Sequence, residues 1–502
     1  MTPSDSPSPP ALTRRALRSG STRGATDGSV AVAEPPGPDE VDAAASTSPD
    51  EAAAEAAASS PRALAWVDES ALGTGAAAAP QGWEPPLVER WPSRFAWRRA
   101  ALTPLVVVVT LALVYSATML LWPLHAVQPQ VEASSVTTTP AAAVSPAWPA
   151  DGSAAVGVPG LGSPLASSGQ AVPMASITKV VTALVVLDGM PLGVGESGPS
   201  YTFTSADRAD YRATIASGES ALPFPTEDAL TQYQLLEGLL IGSAGNYADF
   251  LVAQQYPSQA AYVRAANEWL AAHALTGITV VDPSGISARN VATPAALISL
   301  GQQAMADPVI AETVAKRSVE LPGVGLVENT NALLGDPGVV GVKTGFLGRD
   351  YNLLTARDLE IGDTTVRAFV AVLGQDSAEA RFAETRALLA SLDAPLQPTV
   401  AVSAGTVVGT VTTLWGDPVQ LVTRDDAAVI LWNGGTSVAS MQLGVADTAD
   451  AREEGDAGGV LRVTGPLDAA ESPVVLAAPV ADPDPWWRLT HPLELLGLSP
   501  GA

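Results

Sequence analysis

The sequence predicts an α/β domain, a sheet covered by helices, set between one membrane-spanning helix and a small all-β domain. Three observations predict it. A long uncharged apolar run precedes everything that reads as folded. Residues 153–394 mix helical stretches with short β-like runs. Residues 397–482 carry strand patterns with Gly and Asp turns and little helical signal.

The elements follow in order. Residues 1–99 are rich in Ala, Ser, Pro, Asp and Glu and show no sustained apolar periodicity. Such a composition cannot bury enough surface to offset chain entropy, so a disordered tail is expected. No charge then appears from Ala100 to Val131, and the apolar core Pro104–Trp122 matches the roughly 20 residues that span a bilayer. A transmembrane helix is expected over 100–123. Arg90, Arg94, Arg98 and Arg99 precede it, and no basic residue follows until Lys179. The positive-inside rule puts the tail in the cytoplasm and the rest of the chain outside. Residues 124–152, rich in Pro, Ala, Ser and Thr, read as an extracellular stalk.

Within 153–394, "TQYQLLEGLL" opens with a capping box of Thr231 and Gln234, and Leu230 can staple onto Leu235. "TPAALISLGQQAM" has Thr293 as N-cap and Pro294 at the first helical position. "SAEARFAETRALLASL" reads as a surface helix, and "VVGVKTG", "YNLLTAR" and "TTVRAFVAVLG" read as strands. "DAPLQP" is a linker to the β domain, and 483–502 form a C-terminal tail.

Composition excludes much. The chain has no cysteine, hence no disulfide, thiol nucleophile or cysteine-held metal. Its three histidines lie far apart without metal-ligand spacing, and His273 reads as an ordinary helix-end residue. No metal or other cofactor is expected. A net charge of −26 argues against a nucleic-acid partner, whose phosphates it would repel.

The chemistry lies in three short motifs. Only three of the 26 basic residues are lysines: Lys179, Lys316 and Lys343. A retained lysine points to a site that needs an amine able to lose its proton, which a guanidinium cannot do. Ser176 lies at the expected start of a helix, with Lys179 one turn on along the same face. The amine could then act as the base for Ser176 Oγ, and the helix N-terminus would favour the charge that develops on attack. Ser243 follows an apolar helix in "LLIGSAGNYADF". Lys343, Thr344 and Gly345 sit on a glycine-flanked strand, where they offer a cation and a hydroxyl to a carboxylate and leave room for a ligand at the strand edge. Singly, each motif has an ordinary structural reading: a serine N-cap, a small-residue turn, a strand end.

In this order they are the motif set of penicillin-binding proteins and serine β-lactamases. The chain resembles, more narrowly, the low-molecular-mass penicillin-binding proteins that are D-alanyl-D-alanine carboxypeptidases. Supporting stretches are "VPMASITKVVTALVVLD", "DPSGISARNVATPAAL", "ENTNALL" and "VGVKTGFLGRDYNLLTA". The resemblance implies a penicillin-binding-protein/β-lactamase-like transpeptidase domain. It implies that Ser176 is the nucleophile, Lys179 its general base, with a pKa that Lys343 helps to depress, and Ser243 the proton relay to the leaving amine. Lys343 and Thr344 would receive the substrate's terminal carboxylate, and the backbone N–H groups of Ser176 and Phe346 would form the oxyanion hole. The implied partners are peptidoglycan stem peptides ending in D-Ala-D-Ala, β-lactam antibiotics as covalent inhibitors, and the membrane.

One place departs from the pattern. The family's middle motif carries asparagine two residues after the serine, whereas this chain has Gly245 there and Asn246 next. Either a longer turn brings Asn246 to the substrate, or the asparagine's role is absent. In the second case Asn246→Ala would be nearly silent and Gly245→Asn would raise the rate. Two other readings stay open from sequence. One is a serine β-lactamase, against which stand the trailing β domain, the anchor and the lack of an evident water-activating glutamate. The other is an impaired peptidoglycan-binding homologue, motivated by Gly245.

Overall fold

The computed structural model describes residues 94–124, 127–444 and 453–498. The tail expected over 1–99 lies outside the described residues except for 94–99, which are already helical. The first helix, Arg94–Leu121, contains a 21-residue stretch, Ala101–Leu121, long and apolar enough to cross a membrane. Leu105, Val108, Leu111 and Val114 are all more than half exposed. An apolar helix that is unpacked over most of its length is stable when lipid is its solvent.

The central domain is built on a five-stranded antiparallel sheet. Its strand order is Val339–Leu347, Asp350–Ile361, Thr364–Gln375, Ser153–Gly157 and Leu165–Ala166. The three predicted strands are therefore consecutive neighbours. Residues alternate faces along a strand, and Thr364–Gln375 is apolar on both. Phe369, Ala371 and Leu373 join one core with the helices Thr178–Gly189 and Pro294–Ala306, while Ala368, Val370 and Val372 join a second with the helix Ala378–Ser391. Burying each large apolar side chain is worth about 1.5–3 kcal/mol, so this strand pins both layers.

The helix signals hold. Thr231 accepts from Gln234 N at 3.2 Å while Gln234 Oε1 accepts from Thr231 N at 2.9 Å, and Leu230 and Leu235 are buried in one cluster. Thr293 caps Pro294–Ala306. Ala378–Ser391 is a helix, but it is not a surface one throughout: Arg381, Thr385, Leu388 and Leu389 are buried.

The β domain has a six-stranded sheet in the order Gln130–Ala133, Val407–Thr412, Val419–Thr423, Ala469–Leu476, Ala457–Thr464 and Val438–Leu443, beside the pair Thr399–Val402 and Ala427–Val429. Its first strand comes from the segment read as a stalk, with Gln130 opposite Thr412 and Ala133 opposite Gly409. Thr139 N and Ala141 N then donate to the carbonyls of Ala401 and Gly435. The stalk is thus part of the β domain. Its composition hid this, because a four-residue edge strand stabilised by a distant partner has no local signature. Ile430 and Trp432 pack into the central domain's second core beside Val144 and Trp148.

The C-terminal tail is also structured. The helices Pro485–Thr490 and Pro492–Leu495 sit against the end of the apolar helix. Arg488 donates to the carbonyls of Leu120 (3.4 Å) and Trp122 (2.8 Å), and Tyr115 Oη donates to Leu489 O at 2.8 Å. A cation on the terminal carbonyls of a helix is favourable for both hydrogen bonding and the helix dipole.

Candidate active site

Ser176 sits in a short 3₁₀ turn, Ala175–Ile177, that runs directly into Thr178–Gly189. Thr178 Oγ1 ties the turn by donating to Ala175 O at 2.8 Å. Ala175 has φ of 50°, a left-handed conformation that costs a non-glycine residue about 1–2 kcal/mol. Lys179 follows on the same face, with a fully buried side chain. Its Nζ lies 3.0 Å from Ser176 Oγ, 2.6 Å from Ser284 O and 3.3 Å from Glu219 Oε1. Burial pushes Lys179 below the ordinary lysine range, and the Glu219 carboxylate pulls it back up. Asp282 holds the loop that presents Ser284 by accepting from the backbone N–H groups of Ser284, Gly285 and Ser287.

Ser243 occupies the turn between the helices Gln232–Leu240 and Gly245–Gln255 with φ of 60°, and it lines the same cleft as Ser176. Opposite stands Val339–Leu347. Lys343 is 1% exposed, and its Nζ has no hydrogen-bond partner among the described residues. Burial first, then the like charges of Lys179 and Arg381, hold it well below the usual lysine range. Thr344 Oγ1 lies 2.6 Å from Thr330 Oγ1. Phe346 is half exposed, lines the cleft, and packs at 4.6 Å on Tyr351.

Gly345 is needed for packing. A Cβ there would meet Met174 O at 2.8 Å and Ala175 Cβ at 3.3 Å. The missing side chain therefore lets the strand press against the turn that carries Ser176, and Gly345 also lines the cleft.

Asn246 does not face this cleft. Its amide nitrogen donates to Leu222 O at 2.8 Å, and its Oδ1 accepts from Leu222 N at 3.2 Å. Both ends are committed to the loop after the helix Ser205–Ala216, which corrects the reading that put Asn246 on the substrate. That loop carries Glu219, whose side chain is 10% exposed. Glu219 and Arg381 are the two charged residues that line the cleft, and sequence reasoning missed both. Arg381 Nη1 donates to Gly345 O and Asn352 O at 3.2 and 3.3 Å, beneath the Tyr351 ring. Nothing local in the sequence marks Glu219, which meets Lys179 and Gly245 through tertiary folding.

The cleft measures about 300 Å³. A larger depression of about 680 Å³, lined by Asp207, Asp210 and Asp249, holds no nucleophile–base pair, so the smaller one is the better candidate for chemistry. Burial raises Asp249 there to about 6. His273 ends its helix and stacks on Trp269, as expected. No cluster of metal-ligating residues occurs among the described residues. A serine beside a buried amine whose pKa lies below the ordinary lysine range, with Lys343 and Arg381 nearby, can form and hydrolyse an ester with an anionic acyl donor.

Comparison with known proteins agrees with the motif reading. Residues 166–377 match the model of the D-alanyl-D-alanine carboxypeptidase family. The chain is similar to penicillin binding protein 5 from Haemophilus influenzae (18% identity, 68% of this chain and 100% of that one, TM-score 0.47). It is similar to the D-alanyl-D-alanine carboxypeptidase of Mycobacterium tuberculosis H37Rv (25% identity, 53% and 99%, TM-score 0.44). A third is penicillin-binding protein D2 from Listeria monocytogenes in an ampicillin-bound form (24% identity, 48% and 96%, TM-score 0.39). Curated protein sequences give no match.

Proposed function

We propose that this chain, whose residues 166–377 match the model of the D-alanyl-D-alanine carboxypeptidase family, is a membrane-anchored enzyme that removes the terminal D-alanine from peptidoglycan stem peptides through an acyl-enzyme on Ser176. The observation that carries the mechanism is the 3.0 Å contact between Ser176 Oγ and the buried Lys179 Nζ. A buried amine with a depressed pKa is the kind of group that can take a hydroxyl proton near neutrality.

The proposed steps combine this geometry with the family resemblance. Lys343, Arg381 and Thr344 receive the substrate's terminal carboxylate, which gives the unpartnered Lys343 a counter-charge. Ser176 Oγ attacks the carbonyl of the penultimate D-alanine while its proton passes to Lys179. The carbonyl π pair moves to oxygen, held by the backbone N–H groups of Ser176 and Phe346. The C–N bond then breaks, and Ser243 hands a proton to the departing amine. Water hydrolyses the ester and restores Ser176. A β-lactam ring enters the same path and leaves a covalent adduct. The apolar helix anchors the enzyme, with the arginines before it inside and the catalytic domain outside.

Purified full-length protein tests this with a fluorescent penicillin and with a D-Ala-D-Ala pentapeptide. The expected result is a label mapped by mass to Ser176, release of D-alanine, and neither in a folded Ser176→Ala variant. An adduct on another residue, or undiminished release by Ser176→Ala, would end the mechanism.

A further inference from the structure

Gly245 needs an explanation. Its φ is ordinary, so the backbone there does not require glycine. The space does: a Cβ built on Gly245 would overlap Glu219 Oε1, with the Glu219 carboxyl carbon close behind. Glu219 comes from a different segment, the loop after Ser205–Ala216, and that loop is fixed to residues 245 and 246. Gly245 N donates to Ser220 O at 2.8 Å, and Asn246 holds Leu222 at both ends. The same Oε1 that excludes a side chain at 245 lies 3.3 Å from Lys179 Nζ.

The geometry points to Glu219 as a catalytic residue that replaces the motif's missing third side chain and supplies Lys179 with a charged partner in place of a neutral amide. This deepens the proposed mechanism and rests on it. The step balances simply. As Ser176 Oγ bonds to the carbonyl carbon, its proton moves to Lys179 Nζ. The resulting ammonium is held by the Glu219 carboxylate and by Ser284 O. When the C–N bond breaks, a proton returns to the leaving amine through Ser243, and Lys179 is neutral again.

The charge has two opposed consequences. A carboxylate stabilises the ammonium, so it makes Lys179 a stronger base. It also keeps the lysine protonated to higher pH, and the amine must be neutral to act. The other charges around Lys179 are Asp249 and Asp282, which act like Glu219, and Lys343, which acts against it. Glu219 is the one carboxylate in hydrogen-bond contact with Nζ among the described residues.

The test is the acylation rate constant against pH for the full chain with a fluorescent penicillin. Glu219→Gln keeps the shape and removes the charge. Its plateau rate is expected to fall roughly 10-fold, the effect of about one lost transition-state contact, while the acid limb moves to lower pH. A merely structural glutamate would not produce that pair of changes. Gly245→Asn alone is expected to lose at least as much. Gly245→Asn combined with Glu219→Ala is expected to recover most of the rate, because it installs the usual asparagine in the emptied space. A gain in Gly245→Asn alone, or an unmoved acid limb in Glu219→Gln, would overturn the proposal.

A second readout does not need activity. The chain has three lysines, so 13Cε-lysine NMR of the full chain resolves few signals, assignable by substitution. The Lys179 signal is expected to titrate at lower pH in Glu219→Gln, and an unchanged titration would overturn the proposal. A wild type that takes no penicillin label would instead sink the acyl-enzyme reading and leave this titration to decide the role of Glu219.

Discussion

Replacing Gly345 with alanine should separate catalysis from stability. The added methyl would lie 2.8 Å from Met174 O and 3.2 Å from Asn352 Cβ. The oxygen contact is one that real Cβ atoms essentially never make, and both crowding groups are anchored. Met174 N donates to Asn290 O, and Asn352 bridges Pro173 O and Gly374 N. The strand and the Ser176 turn must therefore part by a few tenths of an ångström. Overpacking of this kind costs about 1–3 kcal/mol. The same displacement moves Lys343 and Thr344 away from Ser176, and a misplacement approaching 1 Å costs roughly 100-fold in rate. The expected result is a loss of acylation of about 10- to 100-fold, with a folded protein and a modest fall in Tm. The assay is the second-order rate constant for penicillin acylation, with thermal unfolding of the same samples. Wild-type acylation in Gly345→Ala would refute the argument that the strand must touch the nucleophile's turn.

Other outcomes follow from single contacts. Lys179→Arg should not acylate, because arginine keeps the charge but does not act as a base near neutral pH; near-normal labelling would make Lys179 only structural. Asn246→Ala should lower stability by about 1–3 kcal/mol, since it unpairs the part-buried N–H and C=O of Leu222; an unchanged urea midpoint would contradict this. Protease added to intact, wall-stripped cells should remove the domain beyond residue 123, and protection of that domain would reverse the proposed orientation.

What was legible in the sequence was local. Ser176 and Lys179 are one helical turn apart, so their contact is dictated by helix geometry alone. The Lys343 strand and its two partners read as alternating or continuous apolar runs joined by tight turns. Two capped helices announced their first residues. What was hidden is tertiary. Glu219 reaches Lys179 only because a loop folds back over Gly245 and Asn246, and neither "SGES" nor "SAGN" encodes the other's position. Arg381 looked like one charge among several on a polar helix, and only the sheet beneath it makes it a cleft residue. The edge strand Gln130–Ala133 lies among residues typical of linkers, and its partner belongs to the far side of the catalytic domain.

That edge strand changes where the molecule can be cut. The catalytic domain is an insertion within the β domain, entered after Ala141 and left before Thr399. A shortened chain beginning at Ser153 would keep every catalytic residue yet uncover one side of Val407–Thr412, offering bare N–H and C=O groups to any passing strand. Such a product would tend to pair edge to edge and aggregate, with its active site intact. Scission between Trp122 and Gln130 would keep the sheet complete and leave the enzyme held to the apolar helix only through its C-terminal helices, by Arg488, Leu489 and Leu495. Scission between residues 142 and 152 would leave the two pieces joined without a covalent link, by the Gln130–Ala133 pairing, by the bonds of Thr139 and Ala141 to Ala401 and Gly435, and by the C-terminal helices on the apolar helix.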